Sequence, residues 1–93
     1  MADKKVTVTI GSSISVDPDP VILRINNDKA KWENDNGTPF AIVLPSQYPQ
    51  PTCGAQGSKY ICTSQTFSAT GTIKYTVTSP GITDLDPDMD VVP

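Results

Sequence analysis

Apolar and polar residues alternate, two by two, along most of this chain, and no stretch keeps a 3.6-residue period long enough for a helix. Val6, Val8 and Ile10 alternate with Lys5, Thr7 and Thr9. The same pattern returns at Val21–Leu23–Ile25, Ala30–Trp32, Phe40–Ile42–Leu44, Ile73–Tyr75–Val77 and Met89–Val91. Successive side chains of a strand point to opposite faces, so each run offers one apolar face for burial. Nine prolines and six glycines are spread through the sequence and interrupt any helix before it can lengthen. The chain is therefore constrained to strands joined by turns.

The turn chemistry agrees with that spacing. Gly11-Ser12-Ser13, Asn26-Asn27-Asp28 and Ser79-Pro80-Gly81 separate alternating runs. Asp17-Pro18-Asp19-Pro20 precedes the run at Val21, where proline suits a strand entrance or a sheet edge. Asn36-Gly37 reads as a hairpin turn between Trp32 and Phe40, because both residues tolerate positive φ. Six to eight short strands at this spacing predict a β-sandwich or barrel. With 93 residues, the chain is expected to form one domain over 1–93. The segment 45–65 breaks the rhythm. It holds Pro45, Pro49, Pro51, Gly54 and Gly57, and reads as a long surface excursion, folded back by a short hairpin at Cys53 to Cys62. Such an excursion is either a tolerated insertion or a contact surface. Trp32, Phe40, Ile42, Phe67, Ile73, Tyr75 and Val77 are the expected core.

Two segments carry a family resemblance. Trp32-Glu33-Asn34 through Asn36-Gly37 to Pro39-Phe40-Ala41-Ile42 resembles the cupredoxin segment that runs Trp-x-Asn, a turn, then Pro-His-x-Val. Gly71-Thr72-Ile73-Lys74-Tyr75-Thr76-Val77 through Pro80-Gly81 is similar to the late strand bearing the cysteine and second histidine of copper-binding members. Val6–Ile10, Val16–Val21 and the ending Leu85–Val91 also suit the family. The resemblance implies an all-β, cupredoxin-like Greek-key β-sandwich of six to eight strands. It covers most of the chain except 45–65. The departures fall on the ligands: Phe40 stands for the first histidine, Val77 for the cysteine, and Pro80 near the second histidine. A blue-copper site needs two imidazoles and a thiolate, so the resemblance implies a metal-free member with no cofactor.

The chemistry available to the chain is narrow. It has no histidine, the commonest general base and metal ligand. Its serines lack a histidine partner and a nucleophile-elbow motif, so no enzyme is expected. Net charge is −3 and the seven basic residues are scattered, so no basic face for nucleic acid is visible. No apolar run approaches the length of a membrane span. No hydrophobic leader precedes Val6, which reads as a cytoplasmic chain or as one whose leader was removed. Cys53 and Cys62 sit in a polar, Pro/Gly-rich loop and read as a disulfide clamp, or as two thiols in a reducing compartment. Asp84, Asp86, Asp88 and Asp90 alternate and would share one strand face; Asp17 and Asp19 do likewise. If the first and last strands were neighbours, as the resemblance implies, these carboxylates would converge as a candidate cation site; the alternative is a solvated acidic edge that discourages pairing. Asn36-Gly37-Thr38 matches a glycosylation sequon, though Pro39 follows it. The function expected from all this is a non-enzymatic interaction or structural module with an unknown protein partner. A self-assembling β-protein joining edge strands, for instance through Val6–Ile10, and a cation-binding module are the alternatives.

Overall fold

The computed structural model describes residues 2–93, and every regular element in them is a strand. There are eleven: β1 (Ala2–Ile10), β2 (Ile14–Asp17), β3 (Val21–Arg24), β4 (Asp28–Asn34), β5 (Ala41–Val43), β6 (Thr52–Gln56), β7 (Lys59–Thr63), β8 (Gly71–Lys74), β9 (Thr76–Ser79), β10 (Ile82–Leu85) and β11 (Asp88–Val92). The all-β class stands. The strand number exceeds the six to eight expected because single alternating runs are cut locally. Tyr75 separates β8 from β9, and its N–H bonds to the Pro87 carbonyl in the gap between β10 and β11.

One layer is a five-stranded sheet ordered β2-β1-β4-β7-β6. The facing layer consists of two three-stranded sheets, β3-β11-β8 and β10-β9-β5. They run into each other, since β8 continues into β9 across Tyr75. β1 pairs parallel with β4, and β3 parallel with β11; the other pairings are antiparallel. The chain passes from the first layer to the second between β2 and β3, through Pro18 and Pro20, both preceded by cis peptide bonds. At the β3–β4 turn Asn26 adopts φ 57°. There the Arg24 N–H donates to the Asp28 carboxylate at 2.8 Å, which holds that carboxyl below its ordinary range.

Between the layers lie the side chains that alternation assigned inward. Trp32, Phe40, Ile42, Phe67, Ile73, Tyr75 and Val77 are all buried, joined by Val6, Val8, Val21, Leu23, Met89 and others. Trp32 and Tyr75 meet edge to face with ring centroids 5.2 Å apart, a geometry that satisfies the ring quadrupoles. They come from opposite layers and join them at the centre.

The short hairpin expected in 45–65 is present: Thr52–Gln56 and Lys59–Thr63 pair antiparallel with Cys53 opposite Cys62. Other expectations change. Asn36-Gly37 is not a hairpin turn. β4 and β5 belong to different layers, so this segment crosses from one to the other. Val6–Ile10 lies between β2 and β4 in the sheet order rather than at its outer edge, with Ala2–Thr7 paired to β4 and Thr7–Ile10 to β2, so only Thr7 is paired on both sides. The first and last strands are not neighbours, because β11 is flanked by β3 and β8.

Candidate functional site

The strand register places the chain's connections at two ends of the sandwich. Ser12–Ser13, Asp35–Phe40, Gly57–Ser58 and Pro80–Gly81 all lie at the end where β4 finishes. The surface opens no pocket among the described residues. A contact surface is therefore sought in exposed segments with a fixed shape, and the 35–40 crossover is the most heavily anchored of them.

Its anchor is Asn34, the last residue of β4, whose side chain is buried. The Asn34 amide donates from Nδ2 to the Val8 carbonyl at 3.0 Å, which locks its orientation. Oδ1 then accepts from the backbone N–H of Asn36 at 2.9 Å and of Thr38 at 3.0 Å. One side chain thus replaces two sheet bonds lost when the strand ends. Gly37 adopts φ 73°, and a Cβ there would lie 3.0 Å from the Ser58 carbonyl oxygen, so the crossover is packed against the β6–β7 turn. On the other side, Ser79 Oγ donates to the Pro39 carbonyl at 2.9 Å, tying the segment to β9. Lys59 Nζ reaches Glu33 at 3.1 Å and Asp35 at 3.5 Å. The Glu33 hydrogen bond first, then the two negative charges, raise the Lys59 pKa above its ordinary value. Asp35, Asn36 and Pro39 remain exposed on this fixed frame, with Gly37 and Thr38 half-buried. A loop held in shape before contact loses less conformational entropy on binding.

The residues singled out from sequence fall into three groups. Phe40, Val77 and Pro80 do gather at this end. Ala41 faces Thr78 and Ile42 faces Val77, so Phe40 lies level with Ser79, between Val77 and Pro80. Phe40 and Val77 are core residues. Cys53 and Cys62 form a disulfide across directly opposed residues, with Cα atoms 4.0 Å apart. Cys62 Sγ lies 3.9 Å from the Phe40 carbonyl, so the bridge abuts the base of the crossover.

Asp84 is on β10, Asp86 in the break before Pro87, and Asp88 and Asp90 on β11. Asp86, Asp88 and Asp90 stay in step and face outward opposite Thr76, Lys74 and Thr72, while Pro87 and Met89 are buried. Asp86 accepts from Thr76 Oγ1 at 2.7 Å, Asp90 from Thr72 Oγ1 at 2.8 Å, and Asp88 pairs with Lys74 at 3.2 Å. Asp19 accepts from the Asp88 N–H at 3.1 Å, so one carboxylate of the early pair does reach the closing strand. Among the described residues no group of three carboxylates or cysteines is placed to hold a metal ion. Asn34 was missed as an organising residue. The signal was a polar residue in an inward-facing position, two residues beyond Trp32, immediately before a glycine-containing turn.

No family model matches the chain, and no curated relative matches it. Among solved structures it is similar to the cysteine protease inhibitor EhICP2 from Entamoeba histolytica. The match has a TM-score of 0.57 at 17% identity and covers 99% of this chain and 97% of the other. At that identity the likeness is one of fold, an all-β architecture shared over nearly the whole of both chains.

Proposed function

We propose that this chain is a non-enzymatic protein-binding module whose contact surface is the Asn34-anchored end of the sandwich, and that its partner is a cysteine protease. The observation that carries the reading is the 35–40 crossover: exposed residues on a backbone fixed by Asn34, Gly37 and Ser79. The whole-chain likeness to a cysteine protease inhibitor supports the class of partner. The disulfide supports an oxidising compartment. As a finer reading of the fold we favour a cupredoxin-like Greek key; the parallel β1–β4 and β3–β11 pairings support it.

Titration of the purified chain against a panel of cysteine proteases tests this. The wild type should slow substrate cleavage by at least one of them. Asn34→Ala, which releases the crossover, should weaken inhibition about tenfold with the disulfide retained. Absence of inhibition across the panel overturns the partner class. Inhibition that survives replacement of Thr38 and Pro39 by alanine together with Asn34→Ala overturns the placement of the surface.

A further inference from the structure

Sheet edges carry unpaired backbone groups and are normally blunted against pairing with other chains. Nearly every edge of this sandwich is blunted. β2 ends in Asp17 and runs into Pro18-Asp19-Pro20. The part of β1 beyond β2 carries Asp3, Lys4 and Lys5. β3 follows Pro20 and ends in Arg24, β5 is three residues long with Pro39 and Pro45 close by, and β8 ends in Lys74. β10 carries Asp84 and a register shift. β6, Thr52-Cys53-Gly54-Ala55-Gln56, has no charge and no proline. It is the outermost strand of the five-stranded sheet, and the Cys53–Cys62 bridge clamps it to β7.

The register shows which groups of β6 are free. The 4.0 Å Cα separation of Cys53 and Cys62 marks a narrow pair, the kind that exchanges no backbone hydrogen bonds. Thr52, Gly54 and Gln56 therefore bond to β7, while the N–H and C=O of Cys53 and Ala55 point away from the sheet. We propose that this edge pairs with β6 of a second copy of the chain, antiparallel about a two-fold axis at Gly54. In that register Cys53 of one copy lies opposite Ala55 of the other, and each pair exchanges both of its backbone bonds. All the outward groups of both strands are satisfied at once. Thr52 faces Gln56 across the seam, a neutral polar pair within hydrogen-bonding reach. Gly54 faces Gly54, and a Cβ there meets nothing within 4 Å in the single chain. Pro51, lacking an N–H, ends the ladder on one side. The sequence of β6 thus complements itself when reversed, with no like charges brought together. The short seam predicts weak, concentration-dependent dimers that join two sheets into one. This surface is the side edge of the sheet, and the pairing stands or falls independently of the protease reading.

Sedimentation equilibrium of the oxidised chain over a wide concentration range should show monomers giving way to dimers. Amide exchange at Cys53 and Ala55 should slow as dimers form. Gly54→Lys opposes two like charges at the axis in space that is open in the monomer, and should weaken association about fivefold. Mixing Gly54→Lys with Gly54→Asp should restore it. Ala55→Pro removes an outward N–H without touching a β6–β7 bond and should weaken association about tenfold or more. Circular dichroism and melting of each variant establish that it is folded, and the charge-swap pair stands alone if Ala55→Pro is not. A wild type that stays monomeric throughout overturns the proposal and leaves the edge to an extended segment of a different protein. Dimers that both Gly54→Lys and Ala55→Pro leave unchanged also overturn it.

Discussion

Trp32 and Asn34 sit two residues apart on the same strand, face the same interior, and hold the molecule together in different ways. Trp32 is wholly buried against Tyr75, and its contribution is apolar area and ring packing with a partner from the other layer. Asn34 is almost as buried, but it works through three directed hydrogen bonds, to Val8, Asn36 and Thr38. The first kind of contact tolerates small displacements, since burial is not directional. The second fails when its geometry is lost, because every unpaired buried partner then carries its own desolvation cost. The centre of the sandwich therefore sets stability, whereas the end sets the shape of an exposed loop.

Trp32→Ala should produce the largest loss, about 3–5 kcal/mol by denaturant unfolding. A loss under about 1 kcal/mol would remove Trp32 from the core and break the contrast at its stronger side. Alkaline pH probes the same centre through Tyr75. Burial pushes its phenol up from 10.0 to about 12, because the phenolate is poorly solvated there. The folded value lies above the unfolded one, so the neutral phenol favours the native state. That contribution, about 2–3 kcal/mol over two units, is complete below about pH 10 and is lost as pH rises through about 12. Tyrosinate absorbance during a pH titration should show one of the three tyrosines ionising late or only on unfolding.

At the loop end the effects are smaller and carry a different signature. Asn34→Ala should cost about 2 kcal/mol and, unlike Trp32→Ala, should speed amide exchange at Asn36 and Thr38 well before global unfolding. Exchange that stays uniform across the chain would mean the two regions are not separable. Gly37→Ala forces a Cβ toward Ser58 at positive φ and should cost about 1–2 kcal/mol. Lys74→Ala, removing an exposed pair with Asp88 on the outer face, should change stability by less than about 1 kcal/mol. A larger loss would show that the Thr72, Thr76, Asp86 and Asp90 contacts around Lys74 act as one network.

Alternation along the chain was enough to determine that the fold is all β and which side chains face inward. Period two is a local property of the strand, so Val6, Trp32, Ile42, Tyr75 and Val77 declare their face without reference to their partners. The cysteine pair was legible for a related reason, because Gly57 marks a turn between two nearby positions. Pairing was not legible. Nothing local distinguishes an Asn-Gly that turns a hairpin from one that crosses between layers, and that choice rests on which sheet β5 joins. The same holds for the role of Asn34, which depends on Val8 lying beside it across a parallel pairing. It holds for the exposure of β6, which is an edge only because β7 takes β4 as its other neighbour. Alternation carried Asp86, Asp88 and Asp90 outward through the break at Pro87, but their neighbours Thr76, Lys74 and Thr72 were chosen by the pairing with β8 and β9. Faces are set by neighbours in sequence, whereas edges, crossovers and polar anchors are set by neighbours in space, and only tertiary packing chooses those.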